Sequence, residues 1–209
     1  MSPSRTIVTF AIFLTLASLG LSQNPDYDEY AAVKAAQLAG VAYCKVETAM
    51  SLSCHACHTI NSTYVALNMT EAAADSGVHA FVILKSDDKE QIVVAFRGTD
   101  SPLEIVSEIY HGLATLYPYS ANLPEGAKVM DYFLQVYNAL RSAFREVLSE
   151  VVKEYPHYQY IFTGHSLGGS LATIGATDTL ESGLLPSVPK LFTFGEPRTG
   201  NYEFISWTT

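Results

Sequence analysis

The stretch "YIFTGHSLGGSLATI", Tyr160 to Ile174, decides how this chain is read. An apolar run climbs to a serine set among Gly164, Gly168 and Gly169, and a helix-forming run follows. "YQYIFTG" reads as a short strand, and Ser166 to Leu180 reads as a helix. Gly164-His165-Ser166-Leu167-Gly168 fits G-x-S-x-G, in which a serine is raised on a sharp strand-to-helix corner. The bland reading is a glycine-rich turn with an inert serine. A strand before and a helix after are the context that separates the two. At such a corner Gly164 and Gly168 leave room where a Cβ would clash. The amides and positive dipole end of the helix would then face negative charge developing on a substrate. Ser166 is therefore the candidate nucleophile, and the N–H of Leu167 a candidate oxyanion donor. His165 lies inside the same corner.

Working outward, "PKLFTFG" (Pro189 to Gly195) reads as a second buried strand. Strand, helix and strand in succession imply a parallel crossover and an α/β sheet with flanking helices. Upstream, "VHAFVILK" and "QIVVAFRG" are apolar runs separated by Ser86 to Glu90, which predicts a hairpin. Phe133, Tyr137, Leu140, Phe144, Val147, Val151 and Tyr155 recur in steps of three and four, so Asp131 to Tyr155 is expected to be a helix that Pro156 ends. The Ala-rich run from Tyr27 to Cys44 also reads as helical, and residues 45–75 as a polar loop region.

The 209 residues suffice for one domain with a sizeable core. Hydrophobic residues make up 48% and charged residues 16%, which rules against disorder. A net charge of −9 argues against nucleic acid as a partner. At the N-terminus Arg5 precedes an apolar run, Thr6 to Leu21, and Gly20 and Ser22 are small residues before Gln23. Residues 1–22 thus read as a signal peptide, because the run is shorter than the roughly 20 residues of a membrane span. The expected domain is 23–209, and the expected location is extracellular.

An oxidising compartment lets cysteines pair. Of the three cysteines, Cys54 and Cys57 lie three apart and suit a local disulfide, which leaves Cys44 over. "CHACH" (Cys54 to His58) also fits the attachment pattern of c-type haem, and its two Cys and two His could serve zinc, although a second ligand cluster is lacking. Neither a metal nor an organic cofactor is expected. Asn61 and Asn68 each open an N-x-S/T sequon and are candidate glycosylation sites.

A further stretch, "IVVAFRGTDS" (Ile92 to Ser101), reads as a strand ending in Arg97-Gly98-Thr99. Thr99 is a turn residue or an oxyanion donor. Together with "VAYC", "YPHYQYIFTGHSLGGSLATI" and "FTFGEPRTGNYEF", it resembles the class 3, or fungal-type, lipases over most of residues 27–205. The resemblance implies an α/β-hydrolase fold, a Ser-Asp-His triad and hydrolysis of lipid or other hydrophobic esters. It carries over Ser166 as nucleophile, and Thr99 and Leu167 as the oxyanion hole. It also places a lid over Ser101 to Ser120, where Leu103, Val106, Ile109, Leu113 and Leu116 stand at helical spacing and suit either docking at a lipid–water interface or an ordinary helix packed on the core. Two departures touch this region: no tryptophan follows Arg97-Gly98-Thr99, and "KVMDYF" (Lys128 to Phe133) stands where the family has V-H-x-G-F.

A serine needs a base, and family order is Ser, acid, His. All six histidines, His55, His58, His79, His111, His157 and His165, precede Ser166. The acids that follow it are Asp178, Glu181, Glu196 and Glu203, while family triad acids come beyond the G-x-P-R-x-G-N run. The resemblance also pairs the cysteine matching Cys44 with one near the C-terminus. The expectation is therefore an incomplete α/β-hydrolase fold, with a mostly parallel central sheet, that lacks the part bearing the triad Asp and His. Its hydrolytic activity would be impaired. The competing expectation is a catalytically inactive lipase-like lipid-binding protein. Substrate class and oligomeric state are left open.

Overall fold

A computed structural model describes residues 28–60, 63–74, 77–99, 116–118 and 123–208. The expected signal peptide, Asn61 and most of the expected lid lie outside these residues.

In chain order the elements are α1 (Glu29–Val41), α2 (Val46–Met50), a 3-10 turn (His55–Thr59), β1 (Val65–Ala74), β2 (Gly77–Ser86) and β3 (Gln91–Phe96). They continue with β4 (Leu116–Pro118), β5 (Lys128–Met130), α3 (Asp131–Glu154), β6 (Gln159–His165), α4 (Leu167–Glu181), β7 (Lys190–Phe194) and α5 (Tyr202–Thr208). The main sheet has the order β1-β2-β3-β6-β7. Its β1–β2 and β2–β3 pairings are antiparallel, and β3–β6 and β6–β7 are parallel. The parallel half is the α/β part that holds the serine.

Alternation along the strands divides the core into two layers, because successive side chains leave opposite faces. Phe81, Ile83, Val94, Phe96, Tyr160 and Phe162 pack toward α3 and α4, while Val82, Leu84, Val93, Ala95 and Ile161 pack toward α1 and α2. The first layer is aromatic at its centre. Phe144 lies 5.4 Å from both Phe81 and Phe96, centroid to centroid, and each such pair adds about 0.5–1.5 kcal/mol beyond burial. The expected face of α3 is the buried one: Phe133, Tyr137, Leu140, Phe144 and Val151 are all core. Leu148 joins them, while Val147 is only partly buried.

Three expectations are corrected. Residues 45–75 are not simply a polar loop, since they hold α2, the 3-10 turn and the ten-residue edge strand β1. The Ala-rich, polar end of β1 has little strand propensity of its own, and pairing with β2 from Val65 to Ala74 is what extends it. Leu116, counted into the helical spacing, instead lies in a strand, since Leu116–Pro118 pairs with β5. Finally, β7 is not buried: Leu191 to Phe194 are half-exposed, and β7 has a sheet neighbour on one edge only among the described residues.

Candidate active site

The carboxyl ends of β3 and β6 meet the start of α4. Phe96 pairs with Gly164, the last aligned pair before both strands end. The chain then turns through Ser166, at φ 54° and ψ −128°, directly into Leu167 at the head of α4. A non-glycine residue in the left-handed half of the map stores strain of order 1–3 kcal/mol, and surrounding structure must hold it there. The holding contacts are visible. Ser166 N–H donates to Phe194 O at 2.9 Å, and Ser166 O accepts from Gly169 N–H at 2.9 Å.

Two glycines make the corner sterically feasible. A Cβ on Gly164 would run into the Gly168 carbonyl, and one on Gly168 would run into the carbonyl oxygen of Phe96. The β3 end and the first turn of α4 therefore lie backbone against backbone. Thr99 follows directly on this contact, and its Oγ1 is buried without a hydrogen-bond partner among the described residues. Leu167 is fully buried, and as the first residue of α4 its amide has no intrahelical partner. Ser166 itself is half-buried.

His165 is exposed and turned away from the serine. Its Nδ1 lies 3.1 Å from the Tyr43 hydroxyl, which also donates to the His165 carbonyl at 3.3 Å. The same hydroxyl fills the space that a Cβ on Gly98 would occupy. Tyr43 thus braces the Gly98–Thr99 turn against the corner. Sequence reasoning used the "VAYC" stretch for the family resemblance and its cysteine, and passed over this tyrosine.

Two of the acids after Ser166, Asp178 and Glu196, have structural partners. Asp178 is wholly buried at the far end of α4, where Arg145 binds it bidentately at 2.6 and 2.8 Å, Arg141 at 2.6 Å and Tyr137 Oη at 2.9 Å. Burial pushes its carboxyl up, and the hydrogen bonds from Arg145, Arg141 and Tyr137 outweigh this and hold it below the usual carboxylate range. Glu196 Oε1 accepts from Thr173 at 2.9 Å and Thr199 at 2.5 Å, and Thr199 reaches Ser170 at 2.9 Å, so this loop is tied to α4. Asn201 Oδ1 accepts from Lys128 N–H at 2.9 Å, and Asn201 Nδ2 donates to Gly126 O at 2.7 Å. The G-E-P-R-T-G-N run therefore acts as a brace. Among the described residues no hydrogen bond joins Ser166 to an acid or a histidine side chain. His79 is buried in β2, and His55, His58 and His157 are exposed.

Cys54 Sγ lies within bonding reach of both Cys57 and Cys44, with Cα separations of 5.0 and 6.2 Å. One sulfur forms one disulfide, so Cys54–Cys57 and Cys44–Cys54 are mutually exclusive. Asn68 sits at the register irregularity of the edge strand β1, and its Oδ1 accepts from the hydroxyl of Thr70 at 2.7 Å.

The family model for lipase (class 3) matches residues 93–209, which run from within β3 through the corner to Thr209. The chain belongs to the class 3 lipase family. A lipase of Rhizopus niveus is 31% identical over 175 residues, covering 82% of this chain and 43% of the relative. A secreted mono- and diacylglycerol lipase of Fusarium solani is 27% identical over 177 residues, covering 83% of this chain and 50% of the relative. A solved triacylglycerol lipase, described as having a serine protease triad as its catalytic centre, superposes with a TM-score of 0.70. It is 25% identical, with 86% of this chain and 66% of that chain covered. The fold is that of the α/β-hydrolase lipases, and the chain spans about half the length of the curated relatives it matches.

Proposed function

We propose that this chain is the nucleophile-bearing portion of a secreted serine ester hydrolase that acts on lipid or other hydrophobic esters. The observation that carries the reading is the strained corner at Ser166, φ 54°, packed against the end of β3 at Gly98, whose neighbour Thr99 keeps a buried hydroxyl without a hydrogen-bond partner among the described residues. Ser166 Oγ would attack the ester carbonyl, and the carbonyl oxygen would become an anion. The Leu167 amide and the Thr99 group would donate to that anion, each donor being worth about 2.7–4 kcal/mol of barrier. A base must take the serine proton. The triad Asp and His that family membership implies are not among the described residues.

Secretion rests on the sequence of residues 1–22. Asn61 and Asn68 would then meet a glycosylating pathway. Tyr43 is assigned a positioning role, holding the Thr99 turn against the corner. Docking at a lipid–water interface rests on the apolar spacing Leu103, Val106, Ile109 and Leu113.

The test is turnover of p-nitrophenyl butyrate by the purified 209-residue polypeptide and by Ser166→Ala. No histidine follows Ser166 in the sequence, so the expected rate is slow, and it falls to background in the variant. A rate that Ser166→Ala leaves unchanged overturns the proposal. Saturable ester binding with no Ser166-dependent turnover would favour the lipid-binding reading instead.

A further inference from the structure

A cavity of about 240 Å³ lies at the opposite end of the sheet from Ser166, between α1 and the amino ends of β3 and β6. Its floor is apolar and buried: Leu38 is 2%, Tyr64 3% and Ile161 6% exposed. Two ammonium groups share its rim. Lys34 Nζ stands 5.9 Å from the centre of the Tyr30 ring, and Lys89 Nζ stands 5.1 Å from that ring and 5.9 Å from the Tyr64 ring. Among the described residues neither lysine forms an ion pair, although Lys34 donates to Gln37 Oε1 at 3.1 Å. The acid on the rim, Asp28, already accepts the Ala31 N–H at 2.9 Å as the cap of α1. Two cations and one carboxylate over an apolar floor leave the rim net positive among the described residues, against the chain's net charge of −9.

We propose that this cavity binds the carboxylate of a short- or medium-chain alkyl acid, its head between Lys34 and Lys89 and its tail along Leu38 and Ile161. The chemistry selects the ligand. An ammonium pair calls for an anion, charge-assisted bonds being the strong ones. The floor has nothing to offer a polar body, so the remainder is hydrocarbon. The volume falls below the roughly 300–1,000 Å³ of drug-sized sites, so the tail is short to medium. Burial, with Tyr30 beside it, pushes the Tyr64 phenol up, so it stays neutral at the wall. Free fatty acid, the acid released by ester hydrolysis, belongs to this class. The binding itself does not depend on Ser166 and is measured without turnover.

The experiment titrates the purified chain with decanoate, 1-decanol and acetate by calorimetry, and maps amide shifts by NMR. Decanoate is expected to bind saturably, about tenfold or more tighter than decanol, with acetate weaker than both. Shifts should cluster at residues 30–38, 64 and 89, and Lys34→Met with Lys89→Met should remove the preference for decanoate over decanol. Equal affinity for decanoate and decanol, shifts confined to residues 97–99 and 164–168, or a double variant that binds decanoate unchanged would each overturn the proposal. If the variant fails to fold, the decanol comparison and the shift map on the unaltered chain still decide it.

Discussion

The two ends of α4 are held by opposite kinds of physics. At the Ser166 end, backbones touch through Gly164 and Gly168, a residue sits at positive φ, and among the described residues none from Gly164 to Gly169 takes part in an ion pair. At the other end, two guanidinium groups and a phenol converge on the buried Asp178. Steric closeness fixes position to within tenths of an ångström and tolerates no added atom. A buried ion cluster tolerates small shifts and is costly to break. The comparison shows a helix clamped electrostatically to α3 so that its head can carry strain.

The largest break is expected at the steric end. Gly168→Val places a side chain against Phe96 O and the Gly98 amide, so it should cost on the order of 4 kcal/mol or more in chemical denaturation. Gly183→Ala is the control: its φ is +64° but nothing lies within 4 Å, so the cost should be about 1 kcal/mol. Next comes the ionic end. Asp178→Asn leaves two arginines facing a neutral group and should cost about 3–5 kcal/mol by the same measurement.

The charge account also fixes a pH dependence. Because the folded Asp178 carboxyl is held below its unfolded value, its stabilisation is complete above about pH 4 and is lost as pH falls through the folded value. The Asn variant should flatten the stability curve in that acid range. His79 is pushed below the ordinary histidine value by burial first and by Arg97 second. Its contribution is complete above about pH 6.5 and declines as pH falls toward its folded value. A His79→Gln variant should therefore show less loss of melting temperature just below pH 6.5. The smallest effect is expected from Tyr43→Phe, which removes one hydroxyl between Gly98 and His165. It should cost about 0.5–1.5 kcal/mol of stability and slow the reaction of Ser166.

The steric end was the legible one. Glycines flanking a serine after an apolar run leave few backbone solutions, so the corner, β6 and α4 followed from Tyr160 to Ile174. The β2–β3 hairpin and α3 were legible for the same reason, since their apolar periods match the faces they bury. The ionic end was opaque: Asp178, Arg141 and Arg145 are ordinary charges in sequence, and only the packing of α3 on α4 joins them. Likewise β1 has little propensity of its own, and Tyr43 sits 122 positions from His165. Contacts set by tertiary packing leave no local period to read.

The central claim is that Ser166 stands at a strained corner facing oxyanion donors, and reaction with an alkyl fluorophosphonate followed by peptide mass spectrometry tests it most directly. The account predicts a slow, single adduct on Ser166 of the folded chain, absent from Ser166→Ala and Gly168→Val and retained in Lys34→Met. An adduct on another residue, or a folded chain that never reacts at Ser166, would contradict it.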